Sequence, residues 1–443
     1  MERLAYQQLL SWKTSNRRKP LLLQGARQVG KSYLLESFGQ REFGKYHVFN
    51  FELDRRLARI FSQDLVPERI LTELSLHLGE KIDQKSDLLI FDEIQECPRA
   101  ITSLKYFCEK MPTLALCCAG SLLGVKLTPE PFPVGKVSFL NLYPLSFEEF
   151  LLALDEQMLL ELLPDALDTG KLPEMAHVKL WERLKEYFVV GGMPEVLLTY
   201  ISQRESRAEA MRQARILQED LVGSYYKDFA KHSGKLNSIH IVSVFENVPM
   251  QLSRNIEGSV KRYKFKEAIQ GKRSFVELQG PISWLEKAGL LIKVKVCNRA
   301  ELPLETFCKE NQFKLFLFDI GLLSSMLRLS PETVLHQEFG ITKGYFAENF
   351  VAQEFVAAGN KQLYSWTERN SEIEYLSVVE ENIIPVEVKA GSRTRAKSLQ
   401  QFLIKYKPER AFKISNRPLK IQNEQVIQNI PLYLTGRIGD LSG

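Results

Sequence analysis

The sequence predicts an α/β protein that is built from more than one domain. Residues 1–145 alternate short apolar runs with amphipathic runs of helical period, which is typical of a parallel sheet flanked by helices. A glycine-rich loop separates the first apolar run from the first helical run. The chain, at 443 residues, is also long for a single hydrophobic core.

Five apolar runs are the candidate strands of this N-terminal sheet. Each run is short, rich in aliphatic or aromatic residues, and bounded by polar or turn-forming residues. In chain order the runs are PLLLQG, YHVFNFEL, DLLIFDE, LALCCAGS and VSFLNLY.

Three further regions follow the first domain. Residues 146–234 predict a helical linker region that begins with SFEEFLLALDEQMLLELL, where Ser146 and Glu149 form a capping-box pattern. Residues 235–334 place short helices before the strand-like runs LLIKVKV and FKLFLFD, which indicates a winged-helix-like region. Residues 335–443 predict a compact α/β domain, in which a helix leads into KQLYSW, SEIEYLSVV and NIIPVEVKA, and then into a second helix and RAFKIS.

The composition is typical of a cytoplasmic protein. No apolar run approaches the length of a membrane span. The segment MERLAYQQLLSWKTSNRRKP lacks the apolar core of a signal peptide. The six cysteines form no CxxC pair, so we expect reduced thiols.

Charge is distributed unevenly along the chain. The net charge is +5, but from Ile384 onward eleven Lys or Arg residues face four Asp or Glu residues. A second basic cluster, SVKRYKFKEAIQGKRSF, spans Ser259–Phe275. Such surpluses are typical of proteins that bind a polyanion such as DNA, although ordinary solvated surfaces are the alternative that charge alone favours. The candidate DNA contacts are Lys261, Arg262, Arg393 and Arg395.

The segment KPLLLQGARQVGKSYLLESF has the complete spacing of a P-loop, two glycines separated by four residues and followed by Lys31 and Ser32. Glycines let the backbone turn tightly, so that successive N–H groups converge on phosphate at a helix N-terminus. We expect Lys31 to reach the β- and γ-phosphates of ATP and the Ser32 hydroxyl to hold Mg²⁺. A chance glycine turn is the alternative. The predicted phosphate-binding residues are Gly25, Ala26, Arg27, Gln28, Val29, Gly30, Lys31, Ser32 and Tyr33.

Two adjacent acids complete the predicted nucleotide site. In DLLIFDEIQ, Asp92 and Glu93 stand at the end of an apolar run. A buried parallel strand delivers its last residues to the ligand-binding edge of a sheet. Asp92 suits the Mg²⁺ shell because its oxygens are hard ligands, and Glu93 suits activation of the attacking water. Acids after a strand are also common helix caps, but the upstream P-loop favours ATP binding.

A third strand-like run, LALCCAGS, ends at Ser121. This hydroxyl could contact the γ-phosphate or the attacking water, and a helix cap is an equally compatible alternative. Phosphoryl transfer also needs a cation beyond Lys31 in its transition state. Arg27, Arg99 and Lys136 are the candidates, and the sequence does not choose among them.

Taken in order, these motifs resemble those of the prokaryotic AAA-type P-loop ATPases that carry a C-terminal domain of unknown function 4143. The resemblance covers nearly the whole chain. It rests on LLLQGARQVGKSYLL, LLIFDEIQECP, CAGSLLG, LYPLSFEEF, GGMPEVL, FKLFLFDIGLL, KGYFAENFVAQEF and IPVEVKAG. It implies an AAA-like ATPase domain, a linker that contains a winged helix, and a terminal domain similar to restriction-endonuclease-like nucleases of the PD-(D/E)xK type.

The resemblance also implies roles for individual residues. Lys31 and Ser32 correspond to the Walker A lysine and hydroxyl, Asp92 and Glu93 to the Walker B acids, and Ser121 to a polar sensor position. The chain departs from the family pattern at two places. A lysine precedes VSFLNLYPLSF where arginine is usual, so the planar guanidinium fork is missing. A glutamate stands in the terminal hairpin where aspartate is usual.

The nuclease resemblance points to a second metal site. Residues two apart in a strand face the same way, so Glu387 and Lys389 share a face, as do Glu372 and Glu374. By the resemblance, Glu348, Glu374 and Glu387 would bind a second divalent metal, with Lys389 beside the scissile phosphate. The alternative is that these are solvent-facing residues of a half-buried strand pair.

The sequence therefore predicts a Mg²⁺-dependent ATPase whose C-terminal half binds DNA and carries a nuclease-like site. One alternative is a nucleotide-dependent regulatory switch that docks a protein partner and carries an inactive nuclease-like scaffold. Another is a DNA-remodelling motor without cleavage. The resemblance leaves oligomerisation open, because AAA relatives often take an active-site arginine from a neighbouring subunit.

Overall fold

The structure is a computed structural model, and it describes residues 1–121, 131–233, 235–254, 262–335, 343–379, 381–389, 397–421 and 425–439. The chain forms two compact units, Met1–Tyr143 and Pro144–Gly443. The finer division into four domains remains a prediction. No helix within the described ranges is both long and apolar enough to cross a membrane.

The first unit is built around a five-stranded sheet in which every neighbouring pair of strands is parallel. The strands are β1 (Leu21–Gln24), β2 (Lys45–Asn50), β3 (Asp87–Asp92), β4 (Ala115–Gly120) and β5 (Ser138–Asn141). Their order across the sheet is β2-β3-β4-β1-β5. All five predicted strands are present, and the predicted α/β fold with a parallel sheet is confirmed.

Within the described residues of the first unit, five α-helices accompany this sheet. They are α1 (Ala5–Thr14), α2 (Lys31–Glu42), α3 (Leu57–Ile60), α4 (Pro67–Leu78) and α5 (Pro98–Lys110). Every residue of β3 and β4 is buried, as expected for strands that are covered on both faces. A proline opens both α4 and α5, because its fixed φ suits the first turn and its missing N–H would have no helical partner there.

Phe91 lies at the centre of an aromatic core in the first unit. Its ring meets those of Phe49, Phe51, Phe61 and Phe107 edge-on, with centroids between 5.6 and 6.3 Å apart. Edge-to-face ring pairs add roughly 0.5–1.5 kcal/mol each beyond the burial of their area. The cluster therefore holds the end of β3 in place, one residue before the first acid of the predicted nucleotide site.

The second unit begins with helices. They are α6 (Phe147–Ala153), α7 (Gln157–Thr169), α8 (Glu174–Val190), α9 (Pro194–Ser202), α10 (Arg207–Ser233), α11 (Lys235–Arg254), α12 (Phe275–Lys287), α13 (Ile320–Met326) and α14 (Pro331–Leu335). The predicted capping box is present, because Ser146 and Glu149 each accept the other's backbone N–H. The run that follows the capping box is divided into two helices, because Asp155 adopts a left-handed φ of 59° between α6 and α7.

The GGMP segment between α8 and α9 meets two distant parts of the second unit. A Cβ on Gly192 would lie 2.2 Å from the carbonyl oxygen of Leu145, and one on Gly191 would lie 2.4 Å from Oδ1 of Asp319. The buried Asp319 carboxylate accepts the Gly192 N–H at 2.7 Å and caps α13 through the Leu322 N–H at 2.9 Å. Glycines are therefore required here, because the Leu145 and Asp319 atoms leave no room for a side chain.

A seven-stranded mixed sheet forms the rest of the second unit. Its strands are β6 (Leu291–Cys297), β7 (Cys308–Leu317), β8 (Leu363–Glu368), β9 (Ser371–Val379), β10 (Asn382–Val388), β11 (Ala411–Ser415) and β12 (Ile427–Pro431). Their order is β12-β11-β10-β9-β8-β6-β7. In the part of this region that the structure describes, the strands are accompanied by α15 (Lys343–Ala357) and α16 (Lys397–Tyr406). The predicted hairpin of β9 and β10 is present, whereas the sequence did not indicate β12.

The antiparallel β6–β7 pair is the ribbon that the winged-helix prediction required, and α10, α11 and α12 precede it. β6 also pairs in parallel with β8, with Val294 opposite Leu363. The ribbon is therefore the edge of the large sheet and not a projecting wing. The winged-helix class and the nuclease-like class of the following elements remain predictions.

Candidate nucleotide-binding site

Two glycines shape the loop between β1 and α2. A Cβ on Gly25 would lie 2.1 Å from the carbonyl oxygen of Leu142, so this position has no room for a side chain. Gly30 has a left-handed φ of 90° and immediately precedes the first residue of α2. Any other residue would be strained in that conformation. The loop therefore turns where the P-loop spacing requires it to turn.

Lys31 is buried and folded back onto this loop. Its Nζ donates to the carbonyl oxygen of Gly25 at 3.0 Å and to that of Ala26 at 2.7 Å. Burial lowers the pKa of Lys31 to about 8, although the carboxylates of Glu93 and Asp92 act to raise it. The ammonium group thus has neutral carbonyl groups of the loop as its hydrogen-bond acceptors.

Ser32 and Asp92 meet although they lie 60 residues apart in the chain. The Ser32 hydroxyl donates to Oδ1 of Asp92 at 3.0 Å, and Nδ2 of Asn50 donates to Oδ2 at 3.0 Å. Hydroxyl and carboxylate oxygens are the hard ligands that Mg²⁺ prefers, so these residues fit the predicted magnesium site. The sequence analysis missed Asn50, which ends β2 directly opposite Asp92 in the parallel pair.

Glu93 follows β3 in a left-handed conformation with a φ of 49°. Its carboxylate accepts a hydrogen bond from the side-chain amide of Gln95, a buried residue of the short 3₁₀ turn that follows. Glu93 also lies close enough to Lys31 for their charges to interact. The structure thus brings the predicted water-activating acid to the P-loop, and it adds Gln95 as a partner that the sequence analysis did not identify.

Ser121 also reaches the P-loop. It directly follows β4, the strand between β1 and β3, and its Oγ accepts a hydrogen bond from Nε of Arg27 at 3.3 Å. The other two candidate cations have different partners. Arg99 donates from Nε to the carbonyl oxygen of Phe61 at 2.6 Å. Lys136 forms an ion pair of 2.9 Å with an exposed glutamate of α5. Of the three candidate cations, Arg27 is therefore the one that the described contacts bring to Ser121 at the P-loop.

Arg3 contacts the backbone of the loop at Val29. It donates from Nη1 to the carbonyl oxygen of Val29 at 2.9 Å and from Nη2 to that of Tyr143 at 2.6 Å. Among the remaining predicted loop residues, Gln28 has a left-handed φ of 64° and Tyr33 is exposed. A lone arginine near the start of a chain gives no sequence signal, so Arg3 was also missed.

Three family models match the chain in series. An AAA domain matches residues 17–151, a domain of unknown function (DUF8612) matches residues 181–333, and a domain of unknown function (DUF4143) matches residues 343–434. The chain belongs to the AAA-type proteins with a C-terminal DUF4143 domain. The family expected from the motifs is thus confirmed, and the AAA match supports a nucleotide-binding domain of ATPase type.

Three solved structures are similar to parts of this AAA-type protein. The Orc1 protein of Aeropyrum pernix in complex with DNA is 14% identical over 73% of this chain and 90% of its own, with a TM-score of 0.27. Drosophila ORC bound to DNA is 12% identical over 73% and 94%, with a TM-score of 0.26. C. elegans PCH-2 is 16% identical over 49% and 59%, with a TM-score of 0.24. No curated protein matches the chain.

The DUF4143 domain buries the three predicted metal ligands. Glu348, Glu374 and Glu387 are 3%, 7% and 1% exposed, so they are not the solvent-facing side of a strand pair. Nζ of Lys389 lies 3.2 Å from Oε1 of Glu387 and 3.9 Å from Oε1 of Glu374. Burial is the main reason that the pKa of Glu374 rises to about 7, with Lys389 opposing the rise. The predicted residues therefore form one buried charged cluster.

A second lysine enters this cluster from outside the DUF4143 domain. Lys314 of β7 is 4% exposed, lies 3.8 Å from Oε2 of Glu348 and forms an ion pair with Glu372. Nothing in the sequence indicated that a strand of the preceding region supplies this charge. Oε2 of Glu387 is buried and has no hydrogen-bond partner among the described residues. Within those residues, no group of three or more His, Cys, Asp or Glu side chains is arranged to hold a metal ion.

The predicted DNA contacts are described only in part. Arg262 is exposed, and its Nη2 donates to Oγ1 of Thr367 at 3.1 Å. Lys261, Arg393 and Arg395 lie outside the described residues.

Proposed function

We propose that this protein is a Mg²⁺-dependent ATPase whose C-terminal region binds DNA. The observation that supports the ATPase part is the contact of Ser32 with Asp92, 3.0 Å apart, beside the buried Lys31 of a complete P-loop. A hydroxyl, a carboxylate and an ammonium group in this arrangement match the chemistry of a magnesium–nucleotide complex.

Binding of ATP would use the loop from Gly25 to Tyr33 to surround the phosphates. Lys31 would exchange its two loop carbonyl groups for charged phosphate oxygens, which are the stronger acceptors. Ser32 and Asp92 would hold Mg²⁺, which, when bound, supplies positive charge to the β- and γ-phosphates. Asn50 would keep the Asp92 carboxylate oriented through its second oxygen.

Hydrolysis would use Glu93 to accept a proton from the attacking water as the water oxygen bonds to the γ-phosphorus. The bond from that phosphorus to the bridging oxygen breaks, which yields ADP and inorganic phosphate. Gln95 would hold one Glu93 oxygen in place through its amide. Arg27 and Ser121, which contact each other, would supply a cation and a hydroxyl that can stabilise the developing charge.

The test compares wild type with Glu93→Gln in two measurements, ATP binding by calorimetry and phosphate release with and without Mg²⁺. We expect both proteins to bind MgATP and the variant to hydrolyse it at least ~100-fold more slowly, the usual scale for a positioned base. Wild type that binds no ATP would overturn the proposal. Near-normal turnover by Glu93→Gln would remove Glu93 from its assigned role.

DNA binding is supported by exposed basic residues on the second unit. Arg262, Lys264, Lys266 and Arg273 are all exposed, and the last part of the chain carries the basic surplus counted above. Phosphate contacts by such residues give little sequence preference and an affinity that falls steeply with salt, with a slope of about 0.9 per neutralised phosphate of duplex DNA.

The DNA test is a salt titration of binding to unrelated duplexes. Arg262→Glu should weaken binding, whereas Lys110→Glu, an exposed charge reversal on the first unit, should not. If wild type binds no DNA at low salt, the DNA part of the proposal is wrong.

The second candidate is a regulatory switch in which the DUF4143 domain is an inactive nuclease-like scaffold that docks a protein partner. The observation that favours it is the presence of Lys314 and Lys389 inside the carboxylate cluster, where they already balance charge that a metal would otherwise neutralise. The unpartnered Oε2 of Glu387 is the observation that favours metal-dependent cleavage instead.

Metal titration of full-length protein decides between these two. If Glu348, Glu374 and Glu387 bind a divalent ion, Mn²⁺ should raise the Tm more than Mg²⁺ does, because Mg²⁺ demands a near-ideal octahedron. Glu387→Ala should then remove the shift, and Lys389→Ala should keep it but abolish DNA cleavage. No metal effect on the Tm and no cleavage of DNA would leave the scaffold as the function of the domain.

A further inference from the structure

Cys297 and Cys308 face each other at the end of the β6–β7 pair where the connecting loop begins and ends. Cys297 is the last residue of β6, Cys308 is the first residue of β7, and the two are direct partners across the strands. Their Sγ atoms lie 2.7 Å apart. Directly opposite residues of an antiparallel pair have Cα atoms roughly 4.5–5.5 Å apart, which lies within the range that a disulfide spans.

The loop that joins the two strands keeps the thiols together. The N–H of Asn298 donates to the carbonyl oxygen of Phe307 at 3.1 Å, so the backbone remains paired one residue beyond the cysteines. The carbonyl oxygen of Leu304 lies 3.5 Å from Sγ of Cys297 and 3.3 Å from Sγ of Cys308. Bond formation between the sulfur atoms therefore requires little movement of the backbone.

The two thiols differ in accessibility. Cys297 is fully buried, whereas Cys308 is half-buried. The hydrogen bond from Cys297 lowers the pKa of Cys308, with a smaller effect of Lys295 in the same direction, although burial and the Glu305 carboxylate oppose this shift. A thiol that is both more exposed and more readily ionised is the one that reacts first with an oxidant.

The other four cysteines lack such a geometry. Cys97, Cys117 and Cys118 are buried, and Cys117 and Cys118 are consecutive strand residues whose side chains point to opposite faces of β4. Cys108 is half-buried like Cys308, but no described contact joins its sulfur to another thiol. It is therefore the matched comparison for Cys308.

We propose that Cys297 and Cys308 are an oxidative modification site, at which a hydroperoxide converts the two thiols into an intramolecular disulfide. This inference is independent of ATP and DNA binding. It goes beyond the expectation of reduced thiols, because it assigns a reversible reaction to two of the six free cysteines.

The chemistry proceeds in two balanced steps. The Cys308 thiolate attacks one oxygen of the hydroperoxide, the O–O bond breaks, and the other oxygen leaves as an alcohol (water, for hydrogen peroxide) after taking up a proton. Cys308 is then a sulfenic acid. The Cys297 sulfur, on losing its proton, attacks the Cys308 sulfur, the S–O bond breaks, and the hydroxyl group leaves with that proton as water. The two thiols lose two electrons, and the peroxide gains them.

The expected consequence is a covalent ring that contains loop residues 298–307. Part of this loop, Ala300–Leu302, lines a cavity of about 720 Å³ together with the β9–β10 turn and the end of α16. A disulfide restricts the open states of the loop that it closes. Oxidation should therefore slow amide hydrogen exchange in the loop and leave exchange in the first unit unchanged.

The experiment oxidises full-length protein with hydrogen peroxide, blocks the remaining thiols, and maps the peptides by mass spectrometry. The expected product is a linked peptide pair that contains Cys297 and Cys308 and is lighter by two hydrogen atoms. The thiol count in denaturant should fall by two from six, and dithiothreitol should restore it.

Two variants complete the test. Cys108→Ser should still form the linked pair, whereas Cys308→Ser should not. Oxidised wild type that shows no Cys297–Cys308 link within one chain would overturn the proposal. Oxidation of Cys108 as readily as Cys308 without such a link is one such result, and a link that joins two chains is another. The peptide map of the wild type decides the question by itself, so a folding defect in Cys308→Ser would not change the conclusion.

Discussion

The side-chain amide of Gln95 donates a hydrogen bond to the carboxylate of Glu93, two residues earlier in the chain. Both residues belong to the turn that follows β3, and the left-handed φ of Glu93 directs the turn so that the two side chains meet. Gln95 is nearly completely buried. The acid assigned to the attacking water therefore has a buried hydrogen-bond partner two residues away in the chain.

Gln95→Ala should lower kcat for ATP hydrolysis and leave the affinity for MgATP unchanged. Loss of a hydrogen bond to a charged group costs about 1.5–3 kcal/mol, which corresponds to roughly a 10- to 100-fold decrease in rate. Steady-state kinetics on a folded variant check this. Gln95→Glu should not restore the rate, because it places a second carboxylate against Glu93. A variant with a raised KM and unchanged kcat would contradict the positioning role.

Lys31→Ala should abolish binding of ATP. The ammonium group is the buried cation of the loop, and its removal leaves about 2–5 kcal/mol of charge pairing with the phosphates unmade. Calorimetric titration of ATP into the variant measures this. Lys19→Ala, on the other side of β1, is the control and should bind normally. Equal affinity of Lys31→Ala and wild type would show that the loop is not the phosphate site.

Glu354 should make the second unit less stable as the pH rises. Its Oε1 accepts the Phe147 N–H at 3.0 Å, and burial, with smaller effects of Glu149 and Glu148, raises its pKa from 4.5 to about 8. Glu148 itself pairs with Arg437. Because the folded protein holds this proton more tightly than the unfolded chain does, the associated stability is full below about pH 4.5 and is lost as the pH rises through 8.

Melting curves at about pH 6 and about pH 8.5 test this dependence. Glu354→Gln keeps the acceptor for the Phe147 N–H but cannot ionise, so it should show a smaller fall in Tm between the two pH values than wild type does. An equal fall in both proteins would mean that other groups carry the pH dependence.

Lys314→Ala should destabilise the second unit strongly. It removes the buried cation next to Glu348 and Glu372, and breaking a buried ion pair from one side costs about 3–5 kcal/mol. The control is Lys405→Ala, which breaks an exposed pair with Glu368 and should cost about 1 kcal/mol or less. Urea unfolding measures both variants, and similar midpoints for the two would contradict the assigned role of Lys314.

The sequence by itself determined the elements whose signals are local. The P-loop spacing, the acids after β3 and the capping box of Ser146 with Glu149 all depend on residues within about ten positions, where strand and helix periods and cap chemistry act directly. The same local signals predicted the five strands of the first unit and the β9–β10 hairpin. Local signals left one detail open, because the left-handed residue Asp155 divides the run SFEEFLLALDEQMLLELL into two helices.

Only the tertiary structure decided which distant side chains meet. Asn50 reaches Asp92 because β2 and β3 pair in parallel with these residues in register. Ser121 reaches the loop because β4 lies between β1 and β3. Lys314 enters the carboxylate cluster as a residue of β7, whose partner β6 also pairs with β8. Strand order and register depend on the packing of the whole core, so no local pattern of residues encodes them.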